Sequence, residues 1–226
     1  MLKTVIFDFD GVIADSETLH LRAFNETLEP FAIKIDVDDY YRTYLGLTDA
    51  DCFKEIAEKH QAIFGNTPVE TLLQNKKTAF EKLAKTDAAI IDGVPEFLEL
   101  LRANSIPMAI CSGALLPEIE LILEGAGLRG FFSVIVSAEQ VKRGKPYPDG
   151  FLLTLEKLNK ETCDKIAPGE CIVIEDSHWG LEAAKVAGMH TIAVTNSYDA
   201  KQLSLAEKIV ARLDELTLPA LQKLCE

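Results

Sequence analysis

Apolar residues run along this chain in two rhythms. Five short runs are nearly unbroken and rich in β-branched and aromatic residues: Lys3–Asp8, Pro107–Ser112, Phe131–Ser137, Cys171–Asp176 and His190–Thr195. Runs of that kind predict strands buried on both faces. Between them, apolar residues recur at three- and four-residue spacings with charged residues opposite. This holds over Pro95–Ala103, where positions 97, 98, 100 and 101 are apolar, and over Leu116–Glu124, Asp149–Leu158 and Trp179–Ala187. Such spacing gathers the apolar side chains on one face of a helix. Strands alternating with helices predict a doubly wound, parallel α/β sheet, a Rossmann-like core with both faces covered.

The interval from Asp15 to Asp92 breaks that alternation. It carries no strand signal, and Thr18–Leu28, Ala50–His60 and Val69–Leu83 all have helical spacing. One helix suffices to cross between parallel strands. The surplus therefore predicts an inserted all-helical cap domain, residues 15–92, within a core made of 1–14 and 93–226. Asp92-Gly93-Val94-Pro95 would be its return hinge.

Composition narrows the partners. The 226 residues include 23 Lys and Arg against 36 Asp and Glu, a net charge of −13. No basic footprint for nucleic acid or an anionic membrane is present. Apolar runs fall far short of the ~20 residues of a membrane span. Asp8 and Asp10 interrupt the N-terminal run before a signal-peptide core forms, so a cytoplasmic protein is expected, as a monomer or weak dimer. Cysteines 52, 111, 163, 171 and 225 are odd in number and lack Cys-x-x-Cys spacing, which reads as reduced structural thiols.

The strand ends carry the chemistry. The first run stops at Phe7-Asp8-Phe9-Asp10-Gly11-Val12, two carboxylates on one face of extended chain where a glycine allows a turn. Acids just past the carboxyl end of a parallel strand are placed for a ligand, and two of them suit a hard divalent cation, most naturally Mg²⁺. Ser112-Gly113 follows the second run and offers a hydroxyl and N–H groups at the start of the next helix, an anion site. Glu175-Asp176 ends the fourth run with two more metal-capable acids. In Gly144-Lys145-Pro146-Tyr147-Pro148-Asp149-Gly150, prolines stiffen a loop bearing one lysine suited to a phosphoryl group.

Asp8-Phe9-Asp10-Gly11-Val12, Ser112, Lys145-Pro146 and Glu175-Asp176-Ser177 with Gly180 together resemble, in type, order and spacing, the motifs of the haloacid dehalogenase superfamily. The resemblance covers nearly the whole chain, since the helical interval is similar to that superfamily's cap. It points to the group of β-phosphoglucomutase and small sugar-phosphate phosphatases. It implies a Mg²⁺-dependent phosphatase of a small phosphate ester, with Asp8 as nucleophile and Asp10 as general acid and base. Asp8, the Asp10 carbonyl, Asp176 and Glu175 would hold the metal; Gly11, Ser112, Gly113 and Lys145 would hold the phosphoryl group. An acid at Asp10 favours phosphate esters over the carbon–halogen and carbon–phosphorus branches.

Asp15-Ser16-Glu17 and His20 resemble the mutase branch, where His20 would orient Asp10 or touch the leaving group. A partly buried hinge histidine is the other reading of His20. Gly46-Leu47-Thr48-Asp49 aligns with the segment where the mutase has a phosphate-binding arginine, and an acid at Asp49 is expected to repel a second phosphate. Ser112 is followed by Gly113-Ala114-Leu115-Leu116 where the mutase has polar residues. The mutase thus stands as the alternative. A receiver-like phosphoacceptor, which also gathers acids, a hydroxyl and a lysine on such a sheet, is the non-enzymatic one. Lys76 and Lys77 read as a solvated helix face, Trp179 as packing at a helix start and Cys111 as a buried strand residue.

Overall fold

The computed structural model describes residues 1–44, 47–59, 64, 67–87, 89–161 and 165–226. They form two compact units, Met1–Asp15 with Ile90–Glu226, and Ser16–Ala89. The strands are β1 (Thr4–Phe7), β2 (Met108–Cys111), β3 (Phe132–Val136), β4 (Cys171–Glu175), β5 (His190–Val194) and β6 (Lys208–Val210). The helices are α1 (Ser16–Leu28), α2 (Val37–Asp39), α3 (Asp49–Lys59), α4 (Val69–Thr86), α5 (Val94–Ala103), α6 (Leu116–Gly125), α7 (Asp149–Glu161), α8 (His178–Val186) and α9 (Leu218–Leu224).

All strand pairings are parallel, in the order β3-β2-β1-β4-β5-β6. The doubly wound sheet is therefore as expected from the apolar runs, and the reason lies in the two central strands. Val5, Ile6 and Phe7 of β1 and Ile172, Val173 and Ile174 of β4 are all 0% exposed. Successive side chains point to opposite faces. Ile6 and Val173 pack with Phe151, Leu155, Ala183 and Ala184 of α7 and α8. Phe7, on the other face, meets Phe97 of α5 and Phe132 edge-on, at centroid distances of 6.0 and 5.8 Å. Fully burying each such side chain contributes about 1.5–3 kcal/mol.

The chain leaves β1 towards β2 and β3 on one side and towards β4, β5 and β6 on the other, so the strand order reverses at β1. That reversal opens a crevice beyond the carboxyl ends of the strands. β6 is an edge strand that the apolar runs do not announce. At three residues, Lys208-Ile209-Val210 is too short to show a period, and pairing with β5 defines it.

The unit Ser16–Ala89 is helical throughout its described residues, apart from the turns and loops that join the helices. Its core gathers Leu21, Phe24 and Leu28 of α1, Phe53 and Ile56 of α3, and Leu72 of α4, with Tyr40. Phe24 and Phe53 meet edge-on at 5.2 Å. Tyr40–Tyr44 is a π-helical turn continuing from α2, unannounced by the spacing of apolar residues. Gly46, His60 and Cys163 lie outside the described residues, so the predicted end of the second cap helix falls there. Cys52, Cys111, Cys171 and Cys225 are free and buried.

Candidate active site

Four sequence-predicted side chains meet at the carboxyl ends of β1 and β4. The Asp8 N–H continues the ladder by donating to Ile174 O at 2.9 Å, which sets its carboxylate beside the end of β4. Carboxylate oxygens of Asp8, Glu175 and Asp176, all buried, lie within 4.8 Å of one another. Lys145 Nζ donates to Asp8 Oδ1 at 2.6 Å and stands 2.5 Å from Glu175 Oε1.

Local structure holds Glu175 still. Its Oε2 accepts from the Asp176 N–H at 3.2 Å, the Ser177 N–H at 3.3 Å and the Ser177 hydroxyl at 2.9 Å. Ser177 is also the N-cap of α8, accepting from Gly180 N–H at 3.1 Å. A Cβ on Gly180 would collide with the Glu175 carboxylate, and one on Gly11, whose φ is +74°, with that of Asp176. The glycines of the first and fourth motifs thus leave room for the acids of the fourth.

Three buried carboxylates face one ammonium. Burial raises the pKa of Glu175, and the Asp176 carboxyl is pushed up to about 7 by burial and by the charge of Asp8. Burial acts to lower the pKa of Lys145, yet Asp8 and Glu175 overcome it and hold the lysine above its ordinary value. Glu175 Oε1 is completely buried, and its partner among the described residues is the ammonium of Lys145. A surplus of negative charge, three buried carboxylates against one ammonium, and an all-oxygen donor set fit a hard divalent cation such as Mg²⁺.

Ser112 is 6% exposed. Its hydroxyl accepts from the Ala114 N–H at 3.0 Å, leaving its own hydrogen to donate outward. Among the described residues no protein acceptor takes the Gly113 N–H. The helix itself begins only at Leu116, whose N–H donates to Glu139 at 3.3 Å. The expected anion site is therefore a loop ahead of α6 rather than the helix N-terminus. Ser112, Gly113, Lys145, Tyr147 and Phe151 border a cavity of about 450 Å³. Asp10 stands on the turn after β1, which Gly11 N–H closes by donating to Ala14 O at 2.9 Å; its carboxylate is outside the acidic cluster.

His20 lies on α1 of the helical unit and is partly buried, as the second reading of it has it. Its Nδ1 lies 2.7 Å from Lys76 Nζ, its ring stacks on Phe80 at 4.5 Å, and burial and then Lys76 lower its pKa to about 4. Lys76 is not on a solvated face: it is 2% exposed, with Nζ 2.8 Å from both oxygens of Asp49. Only Lys77 of that pair is solvated, its side chain 67% exposed. Asp49 is therefore charge-matched rather than a bare repelling acid. Trp179 is 48% exposed, beside His178 and Tyr198, not packed away at the helix start. Cys111 is a buried strand residue, as expected.

Two polar residues of the site went unread in the sequence. Asn196 Nδ2 donates to Gly11 O at 2.7 Å, and the Ser197 hydroxyl donates to Asp176 Oδ2. The signal was available, since Thr195-Asn196-Ser197 comes after β5 as the motif acids come after β1 and β4.

The model of the haloacid dehalogenase-like hydrolase family matches residues 5–194, and the chain belongs to that family. The chain is 32% identical over 201 residues to a phosphorylated carbohydrates phosphatase of Thermotoga maritima, covering 84% of each. It is 30% identical over 194 residues to the fructose-1-phosphate phosphatase of Escherichia coli, covering 84% of this chain and 95% of that one. A Thermotoga maritima structure assigned to β-phosphoglucomutase superposes with a TM-score of 0.81 at 28% identity, covering 98% and 99% of the two chains. The expected class of enzyme, a phosphoric monoester hydrolase, stands with these relatives. Among the described residues no helix is long and apolar enough to cross a membrane.

Proposed function

We propose that the protein is a Mg²⁺-dependent phosphatase of a small phosphorylated metabolite, a sugar or polyol monophosphate, acting through a phosphoaspartyl intermediate on Asp8. The observation that carries this reading is the buried group of Asp8, Glu175 and Asp176 with Lys145 at the strand ends. Asp8, Glu175 and Asp176, with the Asp10 carbonyl, would hold the metal, which when bound neutralises the charge of nucleophile and phosphoryl group. Asp8 attacks phosphorus as the ester P–O bond breaks. Asp10 hands its proton to the departing alkoxide. It then takes a proton from the water that attacks phosphorus and frees Asp8. Lys145, the Ser112 hydroxyl and the Gly113 amide hold the phosphoryl oxygens as charge shifts among them, whereas the Gly11 amide, expected to join them, is committed to Ala14 O.

Substrate choice is assigned to the helical unit, with His20 among the residues that would read the substrate. That unit's own cavity of about 150 Å³ is lined by Glu17, His20, Tyr40, Asp49 and Cys52 among others. Glu17 accepts from Tyr40 at 2.7 Å, Asp49 is bound by Lys76, and His20 is neutral at pH 7. Such a lining supplies hydroxyl-binding groups but no uncommitted cation for a second phosphate, which supports a monophosphate phosphatase. The likeness to the structure assigned to β-phosphoglucomutase keeps a mutase as the second reading. Phosphate release from a panel of sugar and polyol phosphates, with and without Mg²⁺ and with Asp8→Asn, tests the proposal. Release requiring both is expected. Conversion of β-glucose 1-phosphate to glucose 6-phosphate without release would replace it with the mutase.

A further inference from the structure

The loop after β5 reaches two separate parts of the candidate site. Asn196 Nδ2 donates to Gly11 O at 2.7 Å and so fixes this loop against the turn that carries Asp10. The next residue, Ser197, donates its hydroxyl to Asp176 Oδ2. A Cβ on Gly11 would strike both the Asp176 carboxylate and Ser197 Oγ, so the three groups are packed at a single point. Asn196 and Ser197 are themselves exposed, and neither fills a core. A solvent-facing serine committed to a buried acid does little for the fold, whereas it sets the direction of that acid.

We infer that Ser197 is a positioning residue: it fixes the Asp176 carboxylate, through a loop anchored by Asn196 on Gly11, so that Asp176 is presented ready to ligate a divalent cation. The inference rests on the Mg²⁺ reading given above. Partners of this kind, one bond removed from the metal, govern affinity by holding the ligand's rotamer and lone pairs.

The test is calorimetric titration of the full chain with MgCl₂ alone, comparing wild type, Ser197→Ala and Ser197→Thr, alongside melting temperatures in EDTA. Ser197→Ala should bind Mg²⁺ about tenfold more weakly. Ser197→Thr, which keeps the hydroxyl, should recover most of the affinity, and all three proteins should melt together without metal. Mg²⁺ binding by Ser197→Ala equal to that of wild type overturns the inference, as does weaker binding matched by an equal loss of stability in EDTA. No Mg²⁺ binding by the wild-type protein would instead overturn the metal reading on which the inference stands.

Discussion

Among the described residues, Lys145 and Lys76 are drawn out of solvent against carboxylates, one in each unit, and their charge balances are opposite. Lys145 faces Asp8 and Glu175, with Asp176 beside them, so negative charge is in surplus. Lys76 faces Asp49 and a neutral His20, so charge is matched. A matched pair, closely hydrogen-bonded, is at rest; Lys76 is desolvated, and the half-exposed Asp49 offsets that cost while keeping part of its own hydration. A surplus of buried carboxylates is offset by stability elsewhere in the fold, and is the arrangement that the proposed cation would neutralise. The same two residue types thus make a structural pair in one place and a candidate reaction centre in the other.

The sharpest way to break this comparison is to remove one acid from each site. Asp8→Asn should lower phosphatase turnover by at least about 10³-fold, while the cation-free protein melts no lower than wild type because one crowded carboxylate has lost its charge. Asp49→Ala should do the reverse to stability. With Lys76 left without its partner it should cost about 1 kcal/mol in urea unfolding, since Asp49 is 41% exposed and the pair is partly screened, and the double variant Lys76→Met with Asp49→Asn should regain most of the loss. A destabilised Asp8→Asn beside a stable Asp49→Ala would reverse the assignment of the two sites.

Metal should also separate them. Mg²⁺ at about 100 times its dissociation constant should stabilise the wild-type protein by about 2.7 kcal/mol. That gain should vanish in Glu175→Gln and survive in Asp49→Ala, as read by melting with MgCl₂ or EDTA. A full Mg²⁺ response in Glu175→Gln would remove that residue from the proposed ligand set.

A smaller effect concerns pH. The folded pKa of His20 is depressed to about 4, so the unfolded chain binds more protons between that value and about 6.5. Its contribution to stability is present above that window and is lost as pH falls through it. The raised carboxyls of Glu175 and Asp176 act in the opposite sense, so the informative quantity is the difference between wild type and His20→Gln. The variant's melting temperature should decline less on acidification, and parallel curves would refute the burial of a neutral imidazole. Least of all, Trp179→Ala should shift unfolding by no more than about 0.5 kcal/mol, since the side chain is half exposed.

Much of the arrangement could be read before folding was considered. The runs around Val5-Ile6-Phe7 and Ile172-Val173-Ile174 announce central strands because continuous burial leaves no polar position in them. Asp8, Ser112 and Glu175-Asp176 could be found by inspecting the residues at the carboxyl end of each strand. Lys208–Val210 escaped because three residues carry no period. Lys76 escaped because a lysine on a helix has the same spacing whether it faces water or an acid; only the packing of α1, α3 and α4 shows Phe24, Phe80 and Asp49 around it.

What the amino-acid sequence determined by itself is local or periodic: which segments are apolar enough to become strands, where they stop, and which chemical groups stand at their ends. The tertiary structure alone decided what those groups face. Whether Asp49 is a bare acid or half of an ion pair, and whether Ser197 is a loop serine or a donor to Asp176, depends on distances between residues far apart in the chain. Those distances exist only after the apolar faces have been buried together, and the charge balance of a site is a sum over neighbours that no single segment contains.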